Sequence, residues 1–214
     1  MDGSRGRRTA NFRAEKFDVN EKGNAAVEQK ITNRDAWLDQ MEIGAFDASE
    51  IEEILDVVAR DNPLHVAAFG EDPECRRRRF RRFMSAVFTV KDFSHTLVAR
   101  REDGVVVGVC VMMPSDNCLS DFGQRLRLLP ILLSVGPRVA GRAMRWMDVW
   151  EEHDPEGRHW HLGPLGVDVC LQGMGVGSRL MQVFCAQMDA AREDAYLETD
   201  KEINVASTSG SVSR

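Results

Sequence analysis

One stretch restricts the fold more than any other: an apolar strand-like run, a glycine-rich turn and a helix-like run, in that order, between Trp160 and Arg192. Trp160 to Val167 reads as a strand and Asp168 to Gly173 as a turn. Met174 to Arg192 reads as a helix, with Val176, Leu180, Val183, Phe184 and Met188 recurring at helical spacing. Ala195 to Thr199 is another short strand. A strand, a helix and a strand in this order make a parallel crossover unit.

The turn reads Gln172-Gly173-Met174-Gly175-Val176-Gly177. Amides at a helix N-terminus lack intrahelical acceptors and carry partial positive charge. Glycines let a backbone approach a phosphate with no Cβ in the way. The physical reading is an anion cradle for a pyrophosphate. The spacing is not the GxGxxG of dinucleotide folds, and no Lys-Ser/Thr pair follows as in a nucleotide P-loop. A tight turn whose glycines only permit close helix–strand packing remains open.

Upstream, residues 1–36 are polar and mixed in charge. Such a segment cannot bury enough surface to offset its ordering entropy, so a disordered tail is expected, with a short helix near Val27 to Trp37. A domain is expected over 37–206. Leu38 to Ala45 reads as a first strand. Asp47 or Ser49 caps a helix with Ile51, Ile54, Leu55 and Val58 on its apolar face, and Asn62-Pro63 ends or kinks it. Asp72 to Val90 reads as a second helix through Phe80, Phe83, Met84 and Val87. His95 to Arg101 and Val105 to Met113 flank Glu102-Asp103-Gly104, a hairpin signal, and Pro114 stops the second strand. Residues 120–152 read as helix interrupted at Pro130 and at Gly136-Pro137, packing over the sheet. The last residues, 207–214, have linker composition and are expected to be disordered.

Residues 159–180, HWHLGPLGVDVCLQGMGVGSRL, closely resemble the core motif of the GNAT superfamily of N-acetyltransferases. Gln172, Gly175 and Gly177 match the three fixed positions of its Q/R-x-x-G-x-G/A signature. Tyr196-Leu197-Glu198-Thr199 and Asn204-Val205 match the segment after that motif in one branch, and the helical insertion before Trp160 is similar to that of puromycin N-acetyltransferase-type members.

The resemblance implies acetyl-CoA as co-substrate. Leu165, Gly166 and Val167 would lie along its pantetheine arm. Backbone amides from Gln172, Gly173, Met174, Gly175, Val176, Gly177 and Ser178 would hold its pyrophosphate, and Asn204 would touch the cofactor. It implies direct attack of an amine on the thioester, with a strand amide near Val167 steadying the oxyanion. In the family a helix beginning near Asn204 continues Pro-Phe-Tyr-Glu, its tyrosine protonates the departing thiolate, and two more strands complete the sheet. Here Ala206 and a Ser/Gly tail stand in that place. The expectation is therefore a domain missing its last strands and its general acid: a truncated product, an altered reading frame, a misassembled gene model or a degenerate relative. Ala195 to Thr199 would then be a raw sheet edge.

His161 and Glu198 are the candidate catalytic residues. An imidazole titrates near neutrality and suits a base for the amine; Glu198 could bind a cationic amine or relay a proton. Against these stand a structural histidine and a hydrogen-bonding residue inside the sheet. The run Glu151-Glu152-His153-Asp154 reads as a solvated helix end, or a patch that draws in a basic substrate. Arg76 to Arg79 with Arg81 and Arg82 reads as the wet basic face of an amphipathic helix. Trp146, Trp150 and Trp160 line a substrate pocket or fill core.

The formal net charge of -6 argues against a protein that coats nucleic acid. The five cysteines show no metal-ligand spacing and read as small core residues of a reducing compartment; the five histidines form no HExxH-type cluster, so no metal is expected. No stretch reaches the roughly 18 apolar residues that span a bilayer. The N-terminus has no secretory pattern, and a cytosolic or nuclear protein is expected.

The sequence thus predicts an α/β (α+β) fold, a twisted, mostly antiparallel sheet with one parallel crossover, covered by helices as in the acyl-CoA N-acyltransferases. Its expected activity is acetyl transfer from acetyl-CoA to the amine of a small molecule. The alternatives are a non-catalytic acyl-CoA-binding or interaction protein, and a nucleic-acid-associated protein using the arginine helix.

Overall fold

Five strands pair side by side in their order along the chain. They are β1 (Glu42–Ala45), β2 (Leu97–Arg100), β3 (Val106–Pro114), β4 (Trp160–Val167) and β5 (Ala195–Leu197). The helices are α1 (Ile51–Val58), α2 (Pro63–Phe69), α3 (Pro73–Val90), α4 (Ser115–Cys118), α5 (Phe122–Ser134), α6 (Pro137–His153) and α7 (Val176–Ala191). The structure, a computed structural model, describes residues 36–58, 63–118 and 121–197. Apart from Ala36, both expected tails lie outside the described residues, as do Glu198 and Asn204.

β1 to β4 pair antiparallel, and β5 returns parallel to β4 after α7, with His161 opposite Tyr196. This is the crossover expected from the glycine-turn segment. The hairpin also forms where Asp-Gly places it: Gly104 adopts φ 82°, and the Arg101 amide donates to the Val105 carbonyl.

Helices cover both faces, which is why β3 is buried from Val106 to Met112 instead of alternating. On one face α1, with Ile54 and Leu55 essentially inaccessible, packs with Phe69, Phe80 and Phe83 against Val98, Val109 and Val111. On the other, α7 sets Val176, Leu180, Phe184 and Met188 against Leu97, Ala99 and Leu162. Glycines allow both approaches. A Cβ on Gly108 would stand 2.8 Å from a Val176 methyl, and one on Gly166 would stand 3.2 Å from Val58.

The expected cap forms on a short 3-10 turn, Ala48–Glu50, that leads into α1. Asp47 accepts from the Ser49 amide, and Glu50 returns a carboxylate to the Asp47 amide. Asp72 caps α3 in the same way, at 2.7 Å from the Cys75 amide.

Three expectations need correction. Pro130 does not interrupt the helix; α5 runs through it, and only Gly136-Pro137 separates two segments. Pro130 and Leu126, whose carbonyl loses its partner, are on the exposed side, while Leu128 and Leu132 anchor the buried face. Residues 122–153 form an outer layer, with α5 mainly on α3 and α6 mainly on α2, rather than a cover on the sheet. Finally, α2 has no counterpart in the expected elements.

That extra helix also explains the arginine run. Arg76 is buried, its guanidinium donating to the carbonyls of Gly70 and Glu71 at 3.1 and 2.6 Å. Arg79 donates to Phe69 and Arg142 to Ala68. Three arginines thus close the C-terminus of α2, where carbonyls lack intrahelical donors and the dipole is negative. Arg77 and Arg81 pair with Asp56, and Arg81 also with Glu52. The wet basic face shrinks accordingly.

Glu50 also binds Arg100, which reaches the Ala45 carbonyl at 2.8 Å. The Arg100 bond holds the Glu50 carboxyl below its usual 4.5, against an opposing effect of burial. A carboxylate lowered by folding stabilises above its unfolded value and loses that contribution as pH falls through the folded one. Acid unfolding is therefore expected to move to higher pH in Glu50→Gln, as read by circular dichroism between pH 6 and 2. An unchanged acid midpoint would count the pair as inert.

Candidate active site

The described part of β5 ends beside Leu162. Beyond that point β4 is paired to β3, through Cys110 to Leu165, Val109 to Gly166 and Gly108 to Val167. Among the described residues no strand lies on its other edge there. Among the described residues, Leu165, Gly166 and Val167 therefore have no strand paired to that edge. Leu165 is exposed, and Gly166 seats α1.

The turn that follows is tightly wound. Asp168 accepts from the Cys170 amide at 2.8 Å, the Leu171 amide donates to the Asp168 carbonyl, and the Met174 amide to that of Leu171. Gln172 Nε2 lies 3.3 Å from the Val167 carbonyl and ties the turn to the end of β4. Gly175 is left-handed, φ 95° and ψ 0°, and starts α7 with no side-chain cap. The first amides of this 16-residue helix have no intrahelical acceptor and, among the described residues, no side-chain cap. Gly173 has φ 79°, and a Cβ there would meet nothing within 4 Å. A Cβ on Gly177 would make ordinary contacts with Val167 and Leu165. The closest helix–strand approach uses Gly108, on β3, not these glycines. The close-packing reading of the turn thus loses its main support.

At the start of β4, His161 is buried opposite Tyr196, ring centroids 5.6 Å apart, with Trp150 at 6.1 Å. Its Nδ1 lies 3.3 Å from Asp154 Oδ1. A Cβ built on Gly163 would sit 3.7 Å from its Nε2, so that nitrogen faces the stretch where β4 loses its described neighbour. His159 shares the same carboxylate oxygen, Nε2 at 3.2 Å, and its Nδ1 lies 3.0 Å from the Gly157 carbonyl. Asp154 is thus turned inward, which corrects the solvated reading for this residue; Glu151 pairs with Arg125, and Glu152 and His153 are exposed. Sequence reasoning misses His159 and Asp154 as site residues. A signal for His159 exists: it stands two residues before His161, and where extended backbone continues from a strand such a spacing puts both side chains on one face.

Trp146 packs in the helical core and Trp160 in the α7 core, so Trp150 is the one of the three whose ring lies beside His161. Cys110 is buried, its thiol pushed up to about 12 by burial. Cys170, in contrast, is exposed in the turn, so the core reading fails for it. Among the described residues no helix is long and apolar enough to cross a membrane.

Residues 51–209 match the Acetyltransferase (GNAT) family. Among curated proteins, none matches the sequence. Among solved structures, the chain is similar to a histone acetyltransferase HPA2 and related acetyltransferase from Corynebacterium glutamicum, with 18% identity over 78% of this chain and 81% of that one, at a TM-score of 0.52. It is similar to an apo agmatine N-acetyltransferase, with 17% identity, coverage of 80% and 81% and a TM-score of 0.52. It is also similar to arylalkylamine N-acetyltransferase 2 from Aedes aegypti, with 11% identity, coverage of 79% and 81% and a TM-score of 0.51. At these identities the likeness concerns the fold.

Proposed function

The chain belongs to the acetyltransferase (GNAT) family, and on that premise we propose that it transfers the acetyl group of acetyl-CoA to the primary amine of a small molecule. The observation that carries the reading is the glycine-started N-terminus of α7, without a side-chain cap, set directly beyond an edge of β4 that no described strand pairs with. A pyrophosphate fits the first, where amides and dipole favour an anion. An extended amide-bearing arm fits the second. Leu165, Gly166 and Val167 would pair with that arm, the amides from Gln172 to Ser178 would hold the anion, and Asn204 would add a contact from outside the described residues.

A thioester at the end of that arm would reach toward Gly163, the residue that His161 Nε2 faces. Donation from Nδ1 to Asp154 leaves Nε2 as the basic atom. His161 removes the proton of the attacking amine, directly or through water; the nitrogen bonds to the carbonyl carbon, and the carbon–sulfur bond breaks to release CoA. Asp154 is the positioning residue. Glu198, which follows Leu197 in sequence and lies outside the described residues, would meet the amine.

Amine acceptors of the neighbouring enzymes, agmatine and arylalkylamines, set the first panel to try. Free-thiol release from acetyl-CoA is expected with at least one of them, above the rate of thioester hydrolysis alone. Binding of acetyl-CoA without thiol release for any amine would leave a non-catalytic acyl-CoA-binding protein. The nucleic-acid reading loses ground, because Arg76 and Arg79 are engaged with carbonyls and Arg77 and Arg81 with carboxylates.

A further inference from the structure

Between the end of α6 and β4 the chain reverses at Gly157, whose φ is 101°. The reversal brings one carboxylate oxygen of Asp154 and one ring nitrogen each of His159 and His161 within 4.8 Å of one another. We propose that these three side chains bind a divalent transition-metal ion, zinc in the first instance, and that its binding shuts down acetyl transfer. The second half rests on the function proposed above; the first does not.

The hydrogen-bond pattern carries the argument. A carbonyl only accepts, so His159 Nδ1, 3.0 Å from the Gly157 oxygen, bears the ring proton. In the neutral ring Nε2 then presents a lone pair, aimed at Asp154 Oδ1 3.2 Å away. Nε2 and Oδ1 therefore face each other at hydrogen-bond distance, a gap that a ring proton or a metal cation can bridge. The same oxygen lies 3.3 Å from His161 Nδ1. Zinc–nitrogen and zinc–oxygen bonds of about 2.0–2.1 Å place tetrahedral ligands about 3.3–3.4 Å apart, and two edges of the triangle already have that length.

The surroundings fit as well. Ligating histidines commonly donate their second N–H to a backbone carbonyl, which orients the ring, and Gly157 supplies it for His159. His159 and His161 are buried, and Asp154 is largely so. Among the described residues the two histidines are the only ion-pair partners of Asp154, so one carboxylate faces two rings with no fixed positive charge. Two imidazoles and a carboxylate suit zinc among the common ions and leave a fourth position for water.

Inhibition follows from the tautomer. Coordination through His161 Nδ1 needs its lone pair there, so the ring proton moves to Nε2 by way of solvent. Nε2, the atom facing Gly163, then stops being a base. No proton is gained or lost overall.

The test is a cobalt(II) titration of the metal-free full chain near neutral pH, followed by visible absorption, with zinc competition. One ion per chain is expected, with tetrahedral intensity and no thiolate charge-transfer band, and at least tenfold weaker binding in His159→Gln and Asp154→Ala. Absence of saturable uptake by the parent, a thiolate band, or equal affinity in folded variants would overturn the site. Where a variant lacks a cooperative melt, the parent spectrum decides. Zinc is further expected to abolish thiol release reversibly, restored by a chelator, and to leave the acetyl-CoA melt shift in place. Bound zinc with undiminished turnover would overturn the inhibitory role. A chain that binds cobalt but is not stabilised by acetyl-CoA would keep the metal site and sink the acetyltransferase reading; the converse would sink the metal site alone.

Discussion

Gly175→Glu is expected to abolish stabilisation by acetyl-CoA. A ligand at about 100 times its dissociation constant adds about 2.7 kcal/mol to the native state, a rise in melting temperature of roughly 5–10 °C for a domain of this size. The parent should show that rise with millimolar acetyl-CoA, and the variant none. Two physical effects act together. Gly175 sits at φ 95°, where an L side chain is strained, and its Cβ would crowd Leu38 at 3.1 Å. The added carboxylate would also occupy the helix N-terminus that the pyrophosphate needs. Gly175→Ala separates them, since it carries the strain without the charge: it should melt lower than the parent and keep part of the shift. A full acetyl-CoA shift in Gly175→Glu would place the cofactor elsewhere.

His161→Gln is expected to lower kcat about 100- to 10,000-fold, the usual contribution of a positioned general base. Glutamine keeps a polar side chain opposite Tyr196 and beside Asp154 but offers no basic nitrogen above Gly163. Acetyl-CoA binding, read by the melt shift, should stay near the parent value, because the ring lies several residues upstream of the turn. The discriminating readout is the pH profile of kcat/KM: its acid limb should vanish in the variant if His161 is the base. A lower rate with an unchanged profile would mean that the histidine only supports the strand.

Much of this is legible in order and spacing. Residues Trp160 to Val167 form the strand expected of them, and α7 follows with its inner face at Val176, Leu180, Phe184 and Met188. The hairpin around Asp103-Gly104, the Asp47 cap and the glycine turn are equally readable. Each depends on interactions within a few residues, or on a periodicity that repeats several times. The short helix α2 is not readable, since seven residues hold too few turns to show a period.

The corrections share one cause. Arg76, Arg79 and Asp154 are charged residues that composition assigns to water, yet each turns inward because a partner waits there. For the arginines the partners are carbonyls at the end of α2; for Asp154 they are two histidines brought back by the turn at Gly157. Pro130 stays in its helix because the hydrogen bond it removes lies on the exposed side, a fact that depends on which face α3 covers.

By itself, then, the amino-acid order determined the sheet, the crossover and the glycine turn, because backbone geometry and hydrophobic periodicity act locally and leave their mark at fixed spacing. Only the tertiary structure decided which polar side chains meet. It set Trp150 from α6 and Tyr196 from β5 beside His161, and gave one carboxylate two imidazoles to share. The pairing of a charge depends on distance in space, and spacing along the chain does not encode that distance.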